Sequence, residues 1–257
     1  LANREARLCA HRLANVLYAQ GKYDEANNYF ARVVRSCEQY EPSSSMAWEA
    51  QTGYAESLQA LGRVDEALSI LRQVATAYEQ THGSSHALTL AAMKRVGLAL
   101  RNLSRGAEAL AIYREVLECQ IAALGEDHQE SLSTKNSLGN ILRQMGQLEE
   151  AERTHREVLA AREKSLGNEH YETLYTVHCL ASDLESQWQL EESLSLYRRA
   201  LEGRRQVLGA AHYATMESFF RATMALLKQG RDDTAELLAR DYLKELEEKL
   251  PSESYHI

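Results

Sequence analysis

The chain has 257 residues, 44% hydrophobic and 26% charged, which is ordinary for a folded protein and enough for two compact domains or one long array. Its 29 basic and 37 acidic residues leave a net charge of −8, which argues against non-specific nucleic-acid binding and against an anionic membrane surface as the main partner. No apolar run approaches the ~20 residues that cross a bilayer and no secretory signal stands at the start. The four scattered cysteines (Cys9, Cys37, Cys119, Cys179) form no CxxC or finger spacing. They read as free thiols in a reducing, intracellular compartment, the cytoplasm or an organelle.

The elements repeat along the chain. Residues 1–41 form the first predicted unit, with Ala14 and Leu17 on its first helix, the turn phrase GKYDEA at 21–26, and Phe30 on its second helix. The phrase returns as GRVDEA (62–67), SRGAEA (104–109), GQLEEA (146–151), WQLEES (188–193) and GRDDTA (230–235). Its closing small residues, Ala26, Ala67, Ala109, Ala151, Ser193 and Ala235, stand 41 and then 42 apart. The units are therefore 1–41, 42–83, 84–125, 126–167, 168–209 and 210–251, with a short tail at 252–257.

Each unit reads as two helices. In the fourth, residues ~129–145 and ~148–165 carry apolar residues at helical spacing, and no strand-like alternation appears anywhere. A small residue marks the helix crossing in every first helix: Ala14, Ala55, Gly97, Gly139, Ala181 and Thr223. Three residues on stands a core leucine in all six units, Leu17, Leu58, Leu100, Leu142, Leu184 and Leu226, with Phe30, Leu71, Tyr113 and Tyr197 filling the pocket opposite. Trp48 occupies a buried-stripe position.

A second phrase joins the units: LGEDHQESL at 124–132, LGNEHYETL at 166–174 and LGAAHYATM at 208–216. The glycine is expected to close one helix in a left-handed conformation and the histidine to stand where the next begins. A shared metal at His86, His128, His170 and His212 fails on distance. Successive units are offset by about 10 Å or more, whereas zinc ligands all lie ~2 Å from one ion. Leu250-Pro251 falls where the next Leu-Gly would stand and reads as a stop. Leu1 falls just after the place of a preceding Leu-Gly, so the array is expected to continue upstream.

The Gly-x-Tyr-x-Glu-Ala phrase, with a small residue twelve positions before its alanine and an aromatic four after it, resembles the tetratricopeptide repeat, whose usual period is about 34. A period of 42 with an LGxxHxxTL linker is similar to the repeat domain of kinesin light chains and related proteins. The resemblance implies an all-α, right-handed superhelical solenoid of six repeats and about twelve helices. It also implies a concave groove lined by the first helices.

On that face the resemblance places the bases Arg12, Lys94, Arg95, Arg101, Arg143, Arg221 and Lys228, and the acids Glu49, Glu56, Glu185 and Glu217. Repeats three and four bring four bases and no acid there, joined by Asn102, Asn136 and Asn140; His11, Asn15 and His178 share the lining. The charge sign thus reverses against that of the whole chain, and the expected partner is a protein or peptide with acidic residues. In helix 213–229, Met216, Phe219 and Leu226 suit the core, while Phe220, Met224 and Leu227 project toward the groove; a ligand covers them, or the array curls over them. Reversing Arg101 and Arg143 to Glu is expected to weaken binding with little change in stability.

The family's asparagine position holds Arg12, Gly53, Arg95, Ser137, Cys179 and Arg221 here, and only Asn15 and Arg95 match the five-residue carboxylate clamp that holds chaperone tails. Catalytic motifs are missing: no GxSxG, Walker loop, HExxH or dinucleotide fingerprint occurs. His178 and Cys179 are adjacent, so a helix sends them roughly 100° apart and they are no nucleophile–base pair. The expectation is a non-catalytic adaptor that needs no cofactor or metal and holds an acidic, partly apolar segment in its groove. The alternative is a structural subunit of a larger assembly, contacting neighbours by its outer faces and ends. There Trp188, replacing a turn glycine, either anchors a neighbour or packs over its own turn.

Overall fold

The computed structural model describes residues 3–249. Leu1, the Leu250-Pro251 stop and the tail lie outside them. Twelve helices are present among the described residues, with no strand. They are α1 (Arg4–Ala19), α2 (Tyr23–Tyr40), α3 (Ser45–Ala60), α4 (Val64–His82), α5 (Ala87–Asn102), α6 (Gly106–Leu124), α7 (Gln129–Gln144), α8 (Leu148–Leu166), α9 (Tyr171–Ser186), α10 (Leu190–Leu208), α11 (Tyr213–Lys228) and α12 (Asp232–Lys249). The chain divides into two compact units, Leu1–Leu124 and Gly125–Ile257, each holding three helical hairpins. Within each, consecutive helices pack against one another.

The turn inside each hairpin is built on the leucine series. The backbone N–H of Lys22 donates to Leu17 O at 3.0 Å, Arg63 to Leu58 O at 2.8 Å, Arg105 to Leu100 O at 2.9 Å, Gln147 to Leu142 O at 2.9 Å, Gln189 to Leu184 O at 2.9 Å and Arg231 to Leu226 O at 3.0 Å. These are the long bonds of Schellman turns. The same leucine therefore fills the core with its side chain and closes its helix with its carbonyl. The turn needs a residue at positive φ. Glycine supplies it four times, but Ser104 (φ 59°) and Trp188 (φ 61°) hold the same conformation.

The linker histidines are helix caps. Nδ1 of His86, His128, His170 and His212 accepts the backbone N–H of Leu88, Glu130, Glu172 and Ala214 at 3.2–3.3 Å. The third residue after the histidine ties the linker back: the hydroxyls of Thr89, Ser131 and Thr215 each donate to the carbonyl of the preceding Gly at 2.8 Å. The linker glycine has positive φ as expected, but ψ differs. Gly83 stands at φ 91°, ψ 162°, an extended region open only to glycine, not the left-handed helical one. The chain must leave the helix at once to let the histidine cap the next.

The crossing pattern is the close packing the small residues imply. An ideal Cβ on Gly97 would lie 2.5 Å from the Tyr113 ring, and one on Gly139 2.6 Å from the His155 ring. Ala14, Ala55 and Ala181 are fully buried, as are Ala26, Ala67, Ala109 and Ala151. Trp48 is core, edge-on to Tyr78 at 5.0 Å between ring centroids.

A bulky residue at positive φ is strained by about 1 kcal/mol or more, and Trp188 gains little from packing because it is 76% exposed. Trp188→Gly is expected to stabilise the protein by about 1 kcal/mol, read as a higher urea midpoint at unchanged helical signal. Conversely, His128→Ala removes a cap and should cost about 1 kcal/mol, while His128→Asn should recover most of it.

Candidate interaction sites

The first unit presents α1, α3 and α5 on one face. Arg12 and Asn15 are exposed there, His11 and Arg95 half-buried, and Lys94, Arg101 and Asn102 follow along α5. A depression of about 300 Å³ opens among them, lined by His11, Asn15, Glu49, Glu56, Tyr78 and Arg95 with the small residues Gly53, Ala91 and Ala92. Gly53 stands where the resembled family carries asparagine, and the Phe30 ring occupies the space a Cβ would need. Arg95 Nε donates to Glu56 Oε1 at 2.8 Å and Nη1 to Ala91 O at 3.4 Å, so this predicted groove base is already neutralised. Both clamp-matching positions, Asn15 and Arg95, line the depression beside two carboxylates that repel a ligand carboxylate.

Charge divides unevenly along the chain. Residues 1–124 carry thirteen basic and thirteen acidic side chains, and residues 125–257 carry sixteen and twenty-four. All of the net negative charge belongs to the second unit.

In the second unit several expected groove residues are buried. Asn136 is 1% exposed, His178 6%, and Asn140 is also buried. Register alone placed them on the groove face; what it missed is a polar network beneath that face. His155 stands at the ring position of the fourth repeat, where Phe30, Tyr113 and Tyr197 stand in others. Its Nδ1 lies 2.5 Å from Asp183 Oδ2 and its Nε2 lies 3.1 Å from Asn136 O. His155 and Asp183 are fully buried. Arg143 Nη1 reaches Asp183 Oδ1 at 3.3 Å and Cys179 O at 3.2 Å, and Nη2 donates to Asn140 Oδ1 at 3.1 Å. Asn136 Nδ2 meets Cys179 Sγ at 3.7 Å.

Arg143 is thus a structural partner of a buried carboxylate. This overturns the expectation that Arg143→Glu would spare stability: it would set a second carboxylate against Asp183. Burial alone would push the His155 imidazole down, but hydrogen bonding to Asp183 and Cys179, together with their charges, holds it up at about 9. Burial would raise the Cys179 thiol, but His155 and Arg143 hold it below its ordinary value. The imidazole that meets Cys179 is not its neighbour His178 but His155, from the preceding hairpin. This thiol, imidazole and carboxylate, from α8 and α9, are all buried.

His178 instead meets Ser218 Oγ at 3.2 Å and Glu217 Oε1 at 3.6 Å, and burial pushes its imidazole down. Two further buried bases escape a reading by face although they stand one period apart. Arg162 donates to Glu172 O and Thr176 Oγ1, and Arg204 to Ala214 O and Ser218 Oγ, tying each second helix to the next first helix.

On α11, Leu226 is core and Phe219 stacks on Tyr242 at 4.2 Å. Met216, expected in the core, is 47% exposed, because the buried stripe runs through Ala214, Thr215, Ser218, Ala222 and Ala225 instead. Phe220 is 57% exposed, Leu227 45%, and Met224 half-buried. Beside them Lys228 Nζ lies 2.5 Å and Arg221 Nη1 3.9 Å from the Glu185 carboxylate. Burial would raise Glu185, but hydrogen bonds from Lys228 and Tyr197 and both nearby cations hold it below its ordinary value. Among the described residues, no cluster of His, Cys, Asp and Glu could hold a metal and no helix is long and apolar enough to cross a membrane.

These stacked helical hairpins, with small residues at the crossings and polar first-helix faces, define a repeat protein of the kind that serves as an interaction scaffold. The chain belongs to the tetratricopeptide repeat family, whose profiles match residues 45–118 and 89–164 and, in a second form, residues 8–40 and 173–214. In each unit the hairpins are those of the family's solenoid. No curated protein matches the sequence. Among solved structures, a single-substitution form of the kinesin light chain TPR-like repeats of Podosopora anserina is 24% identical over 78% of this chain and 95% of its own, with a TM-score of 0.68. BtubC (BKLC) from P. vanneervenii is 16% identical over 91% and 94%, with a TM-score of 0.71. The Rap conjugation gene regulator of plasmid pLS20, in complex with the Phr* peptide, is 15% identical over 93% of this chain and 62% of its own, with a TM-score of 0.67. At these identities the likeness is one of fold.

The buried pair makes stability depend on alkaline pH. His155 titrates at about 9 in the folded chain and near 6.5 unfolded, so its contribution is fully present below pH 6.5 and is lost as pH rises through about 9. The loss should be on the order of 3 kcal/mol, read as a falling urea midpoint between pH 7 and 10. His155→Tyr with Asp183→Ala, which restores the ring of the third repeat and removes the buried carboxylate, should flatten that profile.

Proposed function

We propose that this protein is a non-catalytic interaction scaffold whose second unit holds an apolar, acidic segment of a partner protein against α11. The observation that carries this reading is the exposure of Phe220 and Leu227 beside Arg221 and Lys228. Burying each apolar side chain under a ligand is worth about 1.5–3 kcal/mol. Arg221 and Lys228 share the Glu185 carboxylate, and Glu217, which also feels Arg221, is met by Arg204, so three cations face two acids and one positive charge is left for an acidic residue of the ligand. This moves the expected acidic contact away from Arg95 and Arg143, whose guanidinium groups are engaged by Glu56 and Asp183. The four free cysteines support a reducing compartment.

A second reading, a subunit of a larger assembly, is favoured by Trp188, which is exposed on a turn strained by its presence. It does not pack over its own turn.

The test begins with a partner identified from the native source by cross-linking. Phe220→Ser with Leu227→Ser should weaken its binding more than about tenfold, or about 1.4 kcal/mol, with an unchanged melting temperature. Arg221→Gln should act on the association rate, and its effect should shrink as salt rises. If both variants bind as tightly as the parent while Trp188→Ala does not, the assembly reading replaces this one.

A further inference from the structure

The first unit contains a cation site that has lost its own cation. In the second unit Glu217 carries two neighbours: His178 Nε2 at 3.6 Å, and Arg204 Nη1 at 3.8 Å from its other oxygen. Counted back four repeats, 42 residues at a time and 41 between the first two repeats, these three positions become His11, Glu49 and Cys37. Imidazole and carboxylate are kept, while the guanidinium is replaced by a buried thiol. Glu49 is left with one hydrogen bond, from the Ser45 hydroxyl at 2.7 Å, and with no cationic partner among the described residues.

Glu49 opens on the depression of about 300 Å³ in the first unit. A second observation points the same way. Tyr78 is only 7% exposed yet lines that depression, and its hydroxyl takes no hydrogen bond among the described residues. Two of the donors there are already engaged, Thr52 Oγ1 with Trp48 O at 2.8 Å and Arg95 with Glu56 and Ala91 O, and the third is the exposed Asn15 amide at the rim. Burial pushes the His11 imidazole down against a weaker upward pull from Glu49, so at neutral pH its free ring nitrogen accepts. The lining carries two carboxylates against one guanidinium. The free acceptors below that rim are thus a carboxylate oxygen, a phenol oxygen and an imidazole nitrogen, which together suit a group that donates several hydrogen bonds and carries positive charge.

We propose that this depression is a subsite for an arginine side chain of a partner protein, entering where Arg204 lies in the second unit. The proposal rests on the scaffold reading only in that the guanidinium arrives on a protein, and it uses no residue of α11. The side chain's stem lies along Leu88, Ala91 and Ala92, and its guanidinium meets Glu49, Tyr78 and His11.

The whole chain is titrated by NMR with a blocked Gly-Ser-Arg-Ser-Gly peptide, with the same peptide carrying citrulline, and with agmatine. The arginine peptide should bind saturably and about tenfold more tightly than the citrulline peptide, shifting signals of α3 and α5. Glu49→Gln should weaken it about fivefold, and Tyr78→Phe, which keeps the ring against Trp48, about twofold, with neither variant changing the melting temperature. Phe220→Ser should leave this binding unchanged. Equal binding of the citrulline peptide, or of the Glu49→Gln variant, overturns the proposal. Binding of agmatine without the peptide also overturns it, in favour of a small-amine site. Loss of this binding while α11 still holds its acidic partner would leave the proposed function standing, and the reverse result would leave the subsite standing.

Discussion

At Gly97 and Gly139 a ring from the second helix of the hairpin occupies the space a Cβ would fill, and in the first two repeats alanines buried on both helices do the same work. That close approach sets the hairpin. Small residues at a crossing let two helix axes approach at the short end of the usual 8–10 Å range, and the recurring leucine three residues on is buried in every repeat. The leucine carbonyl then fixes the turn through its Schellman bond. The turn, the core and the direction of each first helix are therefore one arrangement, and the groove residues inherit their positions from it.

The His155–Asp183 pair shows how far that arrangement tolerates a polar substitute. An imidazole takes the place of a ring beside Gly139, and the penalty of burying it is offset by a carboxylate from the next hairpin, by Asn136 O and by Arg143. Removing one partner from such a cluster leaves a buried charge unpaired, at several kcal/mol. The buried arginines follow the same logic less completely, since Nε of Arg162 and of Arg204 has no hydrogen-bond partner among the described residues. Their other guanidinium nitrogens hold one hairpin to the next, so specificity of stacking is gained against an imperfectly satisfied donor.

The fold was legible because each of its determinants recurs at one period: the leucines, the crossing residues, the turn phrase and the linker. Helix bounds such as Gln129–Gln144 fall within a residue or two of the expected ones. The candidate site was much less legible. Position on a first helix says which face a side chain starts from, but Asn136 and His178 turn into the interior, where Cys179 meets the Asn136 amide and Ser218 and Glu217 meet the His178 ring. His155 itself was visible as a break in the ring series at position four after Ala151. Arg162 and Arg204 were visible as a pair 42 apart. A periodic charge looks like any solvated helix face until its burial is known.

The charge a groove offers to a ligand is a difference between neighbouring repeats. Arg95 is cancelled by Glu56 one repeat before it, Arg143 by Asp183 one repeat after it, and Lys228 by Glu185. Each pair joins side chains about one period apart, because that is the spacing that sets equivalent faces of successive first helices side by side. Counting bases and acids along the groove therefore overstates its field: a base whose neighbour repeat supplies an acid presents little to a partner, and an exposed pair of this kind is worth at most about 1 kcal/mol. What remains for recognition are the residues whose neighbouring repeat supplies nothing. Glu49 is such a residue because Cys37 stands in the place of an arginine. The α11 face is another, because three cations there face two acids. Both proposed contacts thus fall where the repeats fail to match.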